Sequence, residues 1–576
     1  MADKVGPTRL GKIVILLFVV ALVVAAGYFF RDLIAPSGRG AGDVDLDKFR
    51  DQAGAIEAPD AQGITTVSEY AYVAAERLPA VKGVSGYAWD EDEKVVQFPI
   101  NVWIGWLPIV AANHGFKPNE ESIFFRDYGF KVNLKLIDDP VVARDAFAAG
   151  ESHALWGTLD MMVLFAPELM KDSRTAPRIV QQIDWSNGGD GIVVRGAIQS
   201  ARDLRGKTVV YAQNSPSQYF INNLLLNAGI QPSEVNHKYT ATAFEAAAAF
   251  VADKSIDACV SWAPDIYNIP DRVPGTRILT TTGEANKLIA DVWAVRADFA
   301  KDHPEIVQGL VEGIFKGMEQ LGDDTFKARA FVWMAEGFGF AVDEVQAMEA
   351  DAHLTNFAEN KGFFLNQNNP ANFERTWKNI TFVYRELGLI GTPVRFDEVM
   401  DFTYLKNIDE AGLFAHQKDE YRTTFVPTSY SRVQAEAPIL TQTIRINFYP
   451  NSANIFEPRH DEFGKPIPNT LYDPSVNATL EKVARLAGQY ERAVIAVVGH
   501  TDASMKGQGI RFEDVRQLSL DRAEAVKAAL IEKFDFDPNK FVVEGVGWNQ
   551  PADPEDPDNH ALNRRVEISV YPPEAQ

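Results

Sequence analysis

The sequence predicts an α/β protein with a two-lobed body in mid-chain and a smaller α+β unit at the C-terminus. Three observations carry this. From about Val95, strand and helix patterns alternate for some three hundred residues, as a layered α/β body requires. Between 411 and 439 the periodicity lapses into a polar, proline-containing connector. Beyond it, 440–576 reads β-α-β-α-β-β, with apolar residues alternating in the strands and recurring at helical spacing between them.

Composition narrows the class. The 576 residues suffice for three or four ordinary domains, and 46% hydrophobic with 23% charged residues is globular material. A formal net charge of −23 argues against a nucleic-acid partner and against electrostatic adhesion to anionic lipid. The single cysteine, Cys259, excludes an intrachain disulfide, and its apolar setting over 256–260 reads as a small buried hydrophobe. With no cysteine pairs and no close histidine clusters, neither a metal nor a cofactor is predicted.

Residues 1–36 read as a cytoplasmic tip and a membrane anchor. The apolar run 13–30 is of membrane-spanning length, and Lys4, Arg9 and Lys12 precede it. The positive-inside rule then places the N-terminus in the cytoplasm and the bulk of the chain outside, a single-pass topology. A cleaved signal peptide is the competing reading, but the run is long for one, and Tyr28 and Phe29 suit an interfacial aromatic belt. Residues 37–94 read as a stalk and preamble, with a helical hint over 68–77.

In the body, assigned to 95–410, Val96, Phe98 and Ile100 alternate as a strand, and Trp103-Ile104-Gly105-Trp106-Leu107-Pro108 forms its mouth. Val132, Leu134 and Leu136 alternate against Lys131, Asn133 and Lys135. A helix over 140–149 leads to a short strand ending at Gly157-Thr158-Leu159-Asp160. The second unit runs from Asp203 through a strand to Asn214-Ser215-Pro216-Ser217, with Ser215 at an N-cap, Pro216 at the first helical position and Gly229 at the C-cap. A later strand over 256–260 ends at Ser261-Trp262-Ala263-Pro264-Asp265. Such alternation predicts a parallel sheet in each lobe, with a ligand cleft where strand ends and helix N-termini face each other. Largely helical sequence over 303–389 is expected to complete the second lobe and lap over the first. No Ser, His and Asp fall in a nucleophile-elbow pattern, so an enzyme is not predicted.

The Trp-Ile-Gly-Trp-Leu-Pro opening, the Asp184-Trp185-Ser186-Asn187-Gly188-Gly189-Asp190-Gly191 crossing, the 203–209 segment and Ser261-Trp262-Ala263-Pro264 together resemble the periplasmic substrate-binding proteins of the nitrate, sulfonate, taurine and thiamine-precursor group. The resemblance implies a two-lobed type II periplasmic binding fold whose cleft loops hold a small-molecule solute. It carries Trp106, Asp160, Trp185, Ser215, Ser217, Trp262 and Asp265 over as solute-binding candidates. Core packing is the alternative for each tryptophan, and capping for Ser215. Asp160, Asp184, Asp190 and Asp265 at the mouths, with hardly any Arg or Lys, favour a cationic or heteroaromatic ligand over an anion.

In the C-terminal unit, a strand is expected to end at Gly499 and a helix to begin near Leu518, placing Arg522 on its first turn. An aspartate at a strand mouth and an arginine on the next helix can grip a zwitterion, the arginine forking onto a carboxylate and the aspartate taking an ammonium. Gly499-His500-Thr501-Asp502, Leu518-Ser519 with Arg522-Ala523, Gly545-Val546-Gly547 and Asn563-Arg564-Arg565-Val566-Glu567 resemble the peptidoglycan-binding domain of OmpA, Pal and MotB proteins. The resemblance implies that the diaminopimelate stem peptide is held by Asp502 and Arg522, with Thr501, Asn563 and Arg565 as secondary candidates. A salt bridge at the sheet end is the alternative for Arg565. The segment departs from that family in a longer loop after Asp502, in Ala503-Ser504-Met505 where a glycine is usual, and in Val515 where an asparagine is common.

The expected protein is thus held in the inner membrane and to peptidoglycan, with a solute cleft between, for sensing or delivery. Two alternatives stand: the binding component of an ABC importer that serves a membrane permease, and a stator-like or scaffold protein without a small-molecule ligand. The run 13–30 holds no acidic residue, with Asp32 just beyond it, whereas a proton-driven stator needs a carboxylate inside the membrane.

Overall fold

A computed structural model describes residues 39–40, 45–54, 56–58 and 63–575. The expected membrane anchor lies outside them. Among the described residues, no helix is long and apolar enough to cross a membrane.

A two-stranded parallel ladder, β1 (Arg39–Gly40) with β2 (Ala88–Trp89), leads into the body. In the first lobe, β3 (Val95–Ile100) pairs parallel with β4 (Lys131–Leu136). Val96 and Phe98 lie opposite Val132 and Leu134, so the alternating residues of both strands enter one core. Beside β3 runs β5 (Ala154–Thr158). It belongs to an antiparallel sheet with β6 (Pro177–Ser186), β12 (Ala290–Arg296) and β13 (Ala352–Leu354), in the order β13-β6-β12-β5.

The second lobe holds β7 (Asp190–Arg195), β8 (Thr208–Ala212), β9 (Asn236–Thr240), β10 (Ala258–Trp262) and β11 (Thr276–Thr281), in the order β11-β7-β10-β8-β9. β10 pairs parallel with β8, and β8 with β9, while β7 pairs antiparallel with both β10 and β11. The expected parallel sheets are therefore mixed. The reason is the crossings: the chain passes from the first lobe to the second between β6 and β7 and returns between β11 and β12, and the strand entered at each crossing, β7 or β12, pairs antiparallel with both of its neighbours.

The helices after β12 pack chiefly on the first lobe rather than completing the second. The helix Pro304–Gln320 lies along Leu107–Asn113 because glycine permits the approach. A Cβ at Gly317 would stand 2.3 Å from the Pro108 carbonyl oxygen, and one at Gly313 2.4 Å from the Phe124 ring. The helix Phe373–Glu386 bridges the lobes, touching both Leu159–Leu169 and Pro216–Asn227.

The helical hint over 68–77 is not realised. Those residues run extended over the second lobe. Val73 donates to the Tyr239 carbonyl, and the Gln213 amide brackets the Glu76 N–H and the Ala74 carbonyl. Tertiary hydrogen bonds satisfy the backbone there, so a local helix is not needed.

The C-terminal unit has the expected order. β14 (Leu440–Ile444), the helix Val476–Gln489, β15 (Val494–His500), the helix Phe512–Phe534, β16 (Phe541–Gly547) and β17 (Val566–Tyr571) form a sheet ordered β14-β17-β15-β16. Ile495 and Val497 join the main core, while Val494, Ala496 and Val498 form a second cluster with Val433 from the connector. Both faces of β15 are thus covered, which accounts for its continuous apolar run.

The C-terminal unit is docked on the body. Glu481 pairs with Arg375 at 2.9 Å and Glu491 with Lys287 at 2.6 Å, and Gly488 lies against Pro370. The Lys540 ammonium, 1% exposed, donates to the carbonyls of Tyr490, Glu491 and Ala493 and so holds the chain just past the end of helix Val476–Gln489. The connector is itself packed. Tyr421 stacks on His353 at 3.9 Å and donates to Asn187 in the first crossing.

Gly499 tests this packing. A Cβ there would stand 2.0 Å from the Ser519 carbonyl oxygen, a backbone atom that cannot swing away. Gly499→Ala should lower the stability of the C-terminal unit by about 1–3 kcal/mol, read as an earlier thermal transition with the body's transition unmoved.

Candidate functional site

Between the lobes, the strand ends and crossings bring five carboxyl groups together. Asp160 opens the helix Leu159–Leu169 and accepts the Tyr384 hydroxyl at 2.9 Å. Asp184, near the end of β6, accepts the Trp103 indole N–H at 2.9 Å. Asp291 on β12 lies directly opposite Asp184 in the ladder, and the two carboxyls share a hydrogen bond. Asp190 starts β7 and accepts the Ser186 hydroxyl at 2.7 Å. Asp351, just before β13, flanks the first crossing: a Cβ at Gly189 would meet both Asp351 and the Trp103 ring.

Asp160, Asp184, Asp190 and Asp291 are all at least nine-tenths buried. Burial raises Asp160 to about 6 and Asp184, Asp190 and Asp351 to about 7, and it lifts Asp291 well above the ordinary carboxylate range. Mutual repulsion adds to this: Asp190 feels Asp160 and Asp351, and Asp291 feels Asp184, Asp190 and Asp160. Among the described residues, no Lys, Arg or His pairs with any of the five. Oδ1 of Asp190, the Ser217 hydroxyl and the Thr158 hydroxyl are buried with no close hydrogen-bond partner. The walls are tight, since a Cβ at Gly105 would stand 1.7 Å from Asp184 Oδ2.

The predicted solute residues divide. Asp160 belongs to the cluster. Trp262 lies opposite Asp190 in the ladder, and its indole helps hold that carboxyl's pKa down. Ser217 is buried, with its hydroxyl free. Trp106 and Trp185 are core residues: Trp106 donates to Asn101 and meets Phe98 edge-on, and Trp185 meets Phe363 edge-on. Ser215 stands at the N-cap position, yet its hydroxyl donates back to the Ala212 carbonyl and caps nothing. Asp265 lies apart from the cluster and accepts both the N–H and the hydroxyl of Thr66, tying the preamble to the second lobe.

In the C-terminal unit, Asp502 follows the end of β15 and is 5% exposed. It accepts the Ser504 hydroxyl and N–H and pairs with Arg564, while His560 stands 3.8 Å away. Burial works to raise its pKa, but Ser504 and Arg564 outweigh it, so Asp502 sits below the ordinary range. Arg522 faces it without a direct ion pair. Arg522 Nε donates to the Ser452 carbonyl at 3.1 Å, and the guanidinium lies over the Phe448 ring at 4.6 Å. Burial lowers Arg522 to about 10 against the pull of Asp502. Both terminal nitrogens of its fork stay available. The Thr501 hydroxyl is buried and unpartnered. Asn563 braces the 550–558 loop through Ala552 and Pro557. Arg565 turns away to Glu567 at 2.9 Å.

The helix carrying Arg522 begins at Phe512, not near Leu518, so Arg522 lies in its third turn. Glu513 and Asp514 suit the positive end of the helix and Arg511 pairs with Asp514, which extends the helix toward the loop.

Residues 120–324 match the NMT1/THI5-like family model, and residues 469–565 match the OmpA family model. The chain is a fusion of the two. Outer membrane protein Omp38 of Acinetobacter baumannii is 32% identical over 132 residues, 23% of this chain and 31% of that protein. The taurine-binding periplasmic protein of Escherichia coli is 27% identical over 220 residues, 38% of this chain and 64% of that protein. The chain therefore spans less than two thirds of either relative. Among solved structures, the periplasmic aliphatic sulphonate binding protein SsuA of Escherichia coli aligns over 58% of this chain and 99% of its own, with a TM-score of 0.42 and 14% identity.

Asp160, Asp184, Asp190 and Asp291 fall inside the NMT1/THI5-like segment, and Asp502, Arg522 and Arg564 inside the OmpA-family segment. Sequence reasoning did not single out Asp291 or Asp351 as site residues. Asp291 is brought in by strand register and Asp351 by a helical excursion of some sixty residues, neither visible as a local motif. Arg564 was passed over for its neighbour Arg565. Arg564 closes the short helix His560–Asn563 and pairs with Asp502, while Arg565 pairs with Glu567.

A carboxyl whose folded pKa lies above its unfolded value keeps its proton in the folded chain after the unfolded chain has lost it. The stability this contributes is present below the ordinary value of 3.8 and is lost as pH rises through about 6 to 7. Thermal unfolding of the ligand-free chain should therefore show a falling Tm from about pH 5 to about pH 8, on the order of a few kcal/mol in stability. Asp190→Asn should flatten that fall.

Proposed function

We propose that this protein binds a small cationic solute in the cleft of its NMT1/THI5-like body and grips peptidoglycan with its OmpA-family domain. The observation that carries the first half is the set of five carboxyl groups with no basic partner. A ligand ammonium or heteroaromatic cation supplies the missing charge, and Trp103 and Trp262 offer ring faces beside it. The taurine- and sulphonate-binding relatives are named for acids bearing a sulfonate. A sulfonate placed against these carboxyls would be repelled, so the solute class differs from theirs or presents its ammonium end here.

The second half rests on Asp502 and Arg522, which face each other without an ion pair between them, Asp502 being held by Arg564. They suit the ammonium and carboxylate of a diaminopimelate stem peptide, and Arg564 shields Asp502 until the ligand ammonium displaces it. An inner-membrane anchor over 13–30 completes the reading, from sequence alone. Sensing is favoured over delivery to a permease by one feature, a buried polar path from the cleft to the OmpA-family domain. Tyr384 holds Asp160 and packs on Tyr219. The Tyr219 hydroxyl meets Asn379 and Gln489, and Asn379 meets Asn223.

Two measurements test the halves separately. In a thermal-shift screen, cationic amines should stabilise the chain while nitrate and simple sulfonates should not, and Asp190→Asn or Trp262→Ala should weaken the hit by about tenfold. Stabilisation by sulfonates alone would overturn the cationic reading, and no stabilisation by any solute would favour a scaffold. In sedimentation with purified sacculi, Asp502→Ala and Arg522→Ala should each leave the protein in the supernatant. Continued sedimentation of both would sink the wall reading.

A further inference from the structure

Where the OmpA-family domain meets the second lobe, the surface encloses a groove of about 490 Å³. Arg202 and Arg205 line it from the body; Arg445, Lys482 and Arg565 line it from the C-terminal unit. Glu567 is its one acidic lining residue. That carboxylate is already committed. Burial would raise its pKa, but His500 and Arg565 outweigh it and hold it at about 2, with Arg565 Nε at 2.9 Å. Arg205 pairs with Glu234. Among the described residues, Arg202, Arg445 and Lys482 have no ion-pair partner within 4.0 Å.

In a chain of net charge −23, this local excess of positive charge is out of keeping with the rest of the molecule. Its placement matters as much as its sign. Unscreened cations on the two facing walls repel one another and work against the docking that Arg375–Glu481 and Lys287–Glu491 secure nearby. The side chains are concave-lying: Lys482 is open to water, yet enough protein surrounds it to lower its ammonium pKa, with Arg485 adding to the effect. Guanidinium forks from two walls and an ammonium between them form the donor set that matches a tetrahedral oxyanion.

We propose that this groove binds a phosphate-bearing anion, which bridges Arg202 of the body to Arg445 and Lys482 of the OmpA-family domain and clamps the two together. The phosphate group is the shared chemistry of two sources, a soluble polyphosphate and a phospholipid headgroup. Calorimetric titration of the full chain with pyrophosphate, and co-sedimentation with phosphatidylglycerol vesicles against phosphatidylcholine ones, distinguish them.

Binding in either arm should fall about tenfold or more in Arg445→Glu/Lys482→Glu, and by less in Arg202→Gln. All three residues are exposed, so the variants should keep the parent's circular dichroism and Tm without ligand. Bound pyrophosphate should also raise the Tm of the C-terminal unit toward that of the body. Absence of binding in both arms, or binding that all variants retain, overturns the proposal. Because neither cleft nor wall residues are altered, these outcomes are independent of the solute and peptidoglycan readings.

Discussion

Four deeply buried carboxyl groups at the crossing of the lobes set the terms for this fold. Isolated charge in such surroundings is too costly to keep, so the groups either hold protons or meet a cation. Asp184 and Asp291 solve part of the problem by sharing a hydrogen bond across the ladder. Asp160 leans on Tyr384 and Asp190 on Ser186. The same Ser186 hydroxyl meets Thr282 in the return crossing, and Thr282 receives the Gly188 N–H. Asp190 and the two crossings are therefore one hydrogen-bonded unit, and a change in charge at Asp190 acts directly on the segments that join the lobes.

That unit reaches beyond the body. The C-terminal domain docks through helix Val476–Gln489, whose last residue enters the buried polar path that begins at Asp160. The connector adds a second link, with Tyr421 bonded to Asn187 of the crossing and stacked on β13. The C-terminal domain thus rests on both the first crossing and the second lobe. The basic groove lies on this same seam.

Much of this was legible in the residues. Val96 and Phe98 against Val132 and Leu134, or the run 494–498, announce strands because side-chain alternation and burial are local consequences of the pleat. The α/β order, the fusion of two units and the acidic character of the strand mouths were all readable in this way. Asp502 follows its strand as expected, whereas Arg522 lies in the third turn of its helix rather than the first. The tryptophans were less readable. Trp106 and Trp185 carry the same local signature as Trp262, and only packing separates core from cleft.

The sequence by itself determined which segments alternate and which residues can be charged. The tertiary structure alone decided which charges meet. Asp291 stands across from Asp184 because antiparallel insertion of the return strand sets that register, and Arg564, at the end of the short helix before β17, reaches Asp502 while Arg565 turns to Glu567. Asp265, alike in sequence to the cleft acids, is claimed by Thr66 from a preamble two hundred residues away. Electrostatic function depends on distances between non-local groups, and those follow from register and docking, which no local pattern encodes.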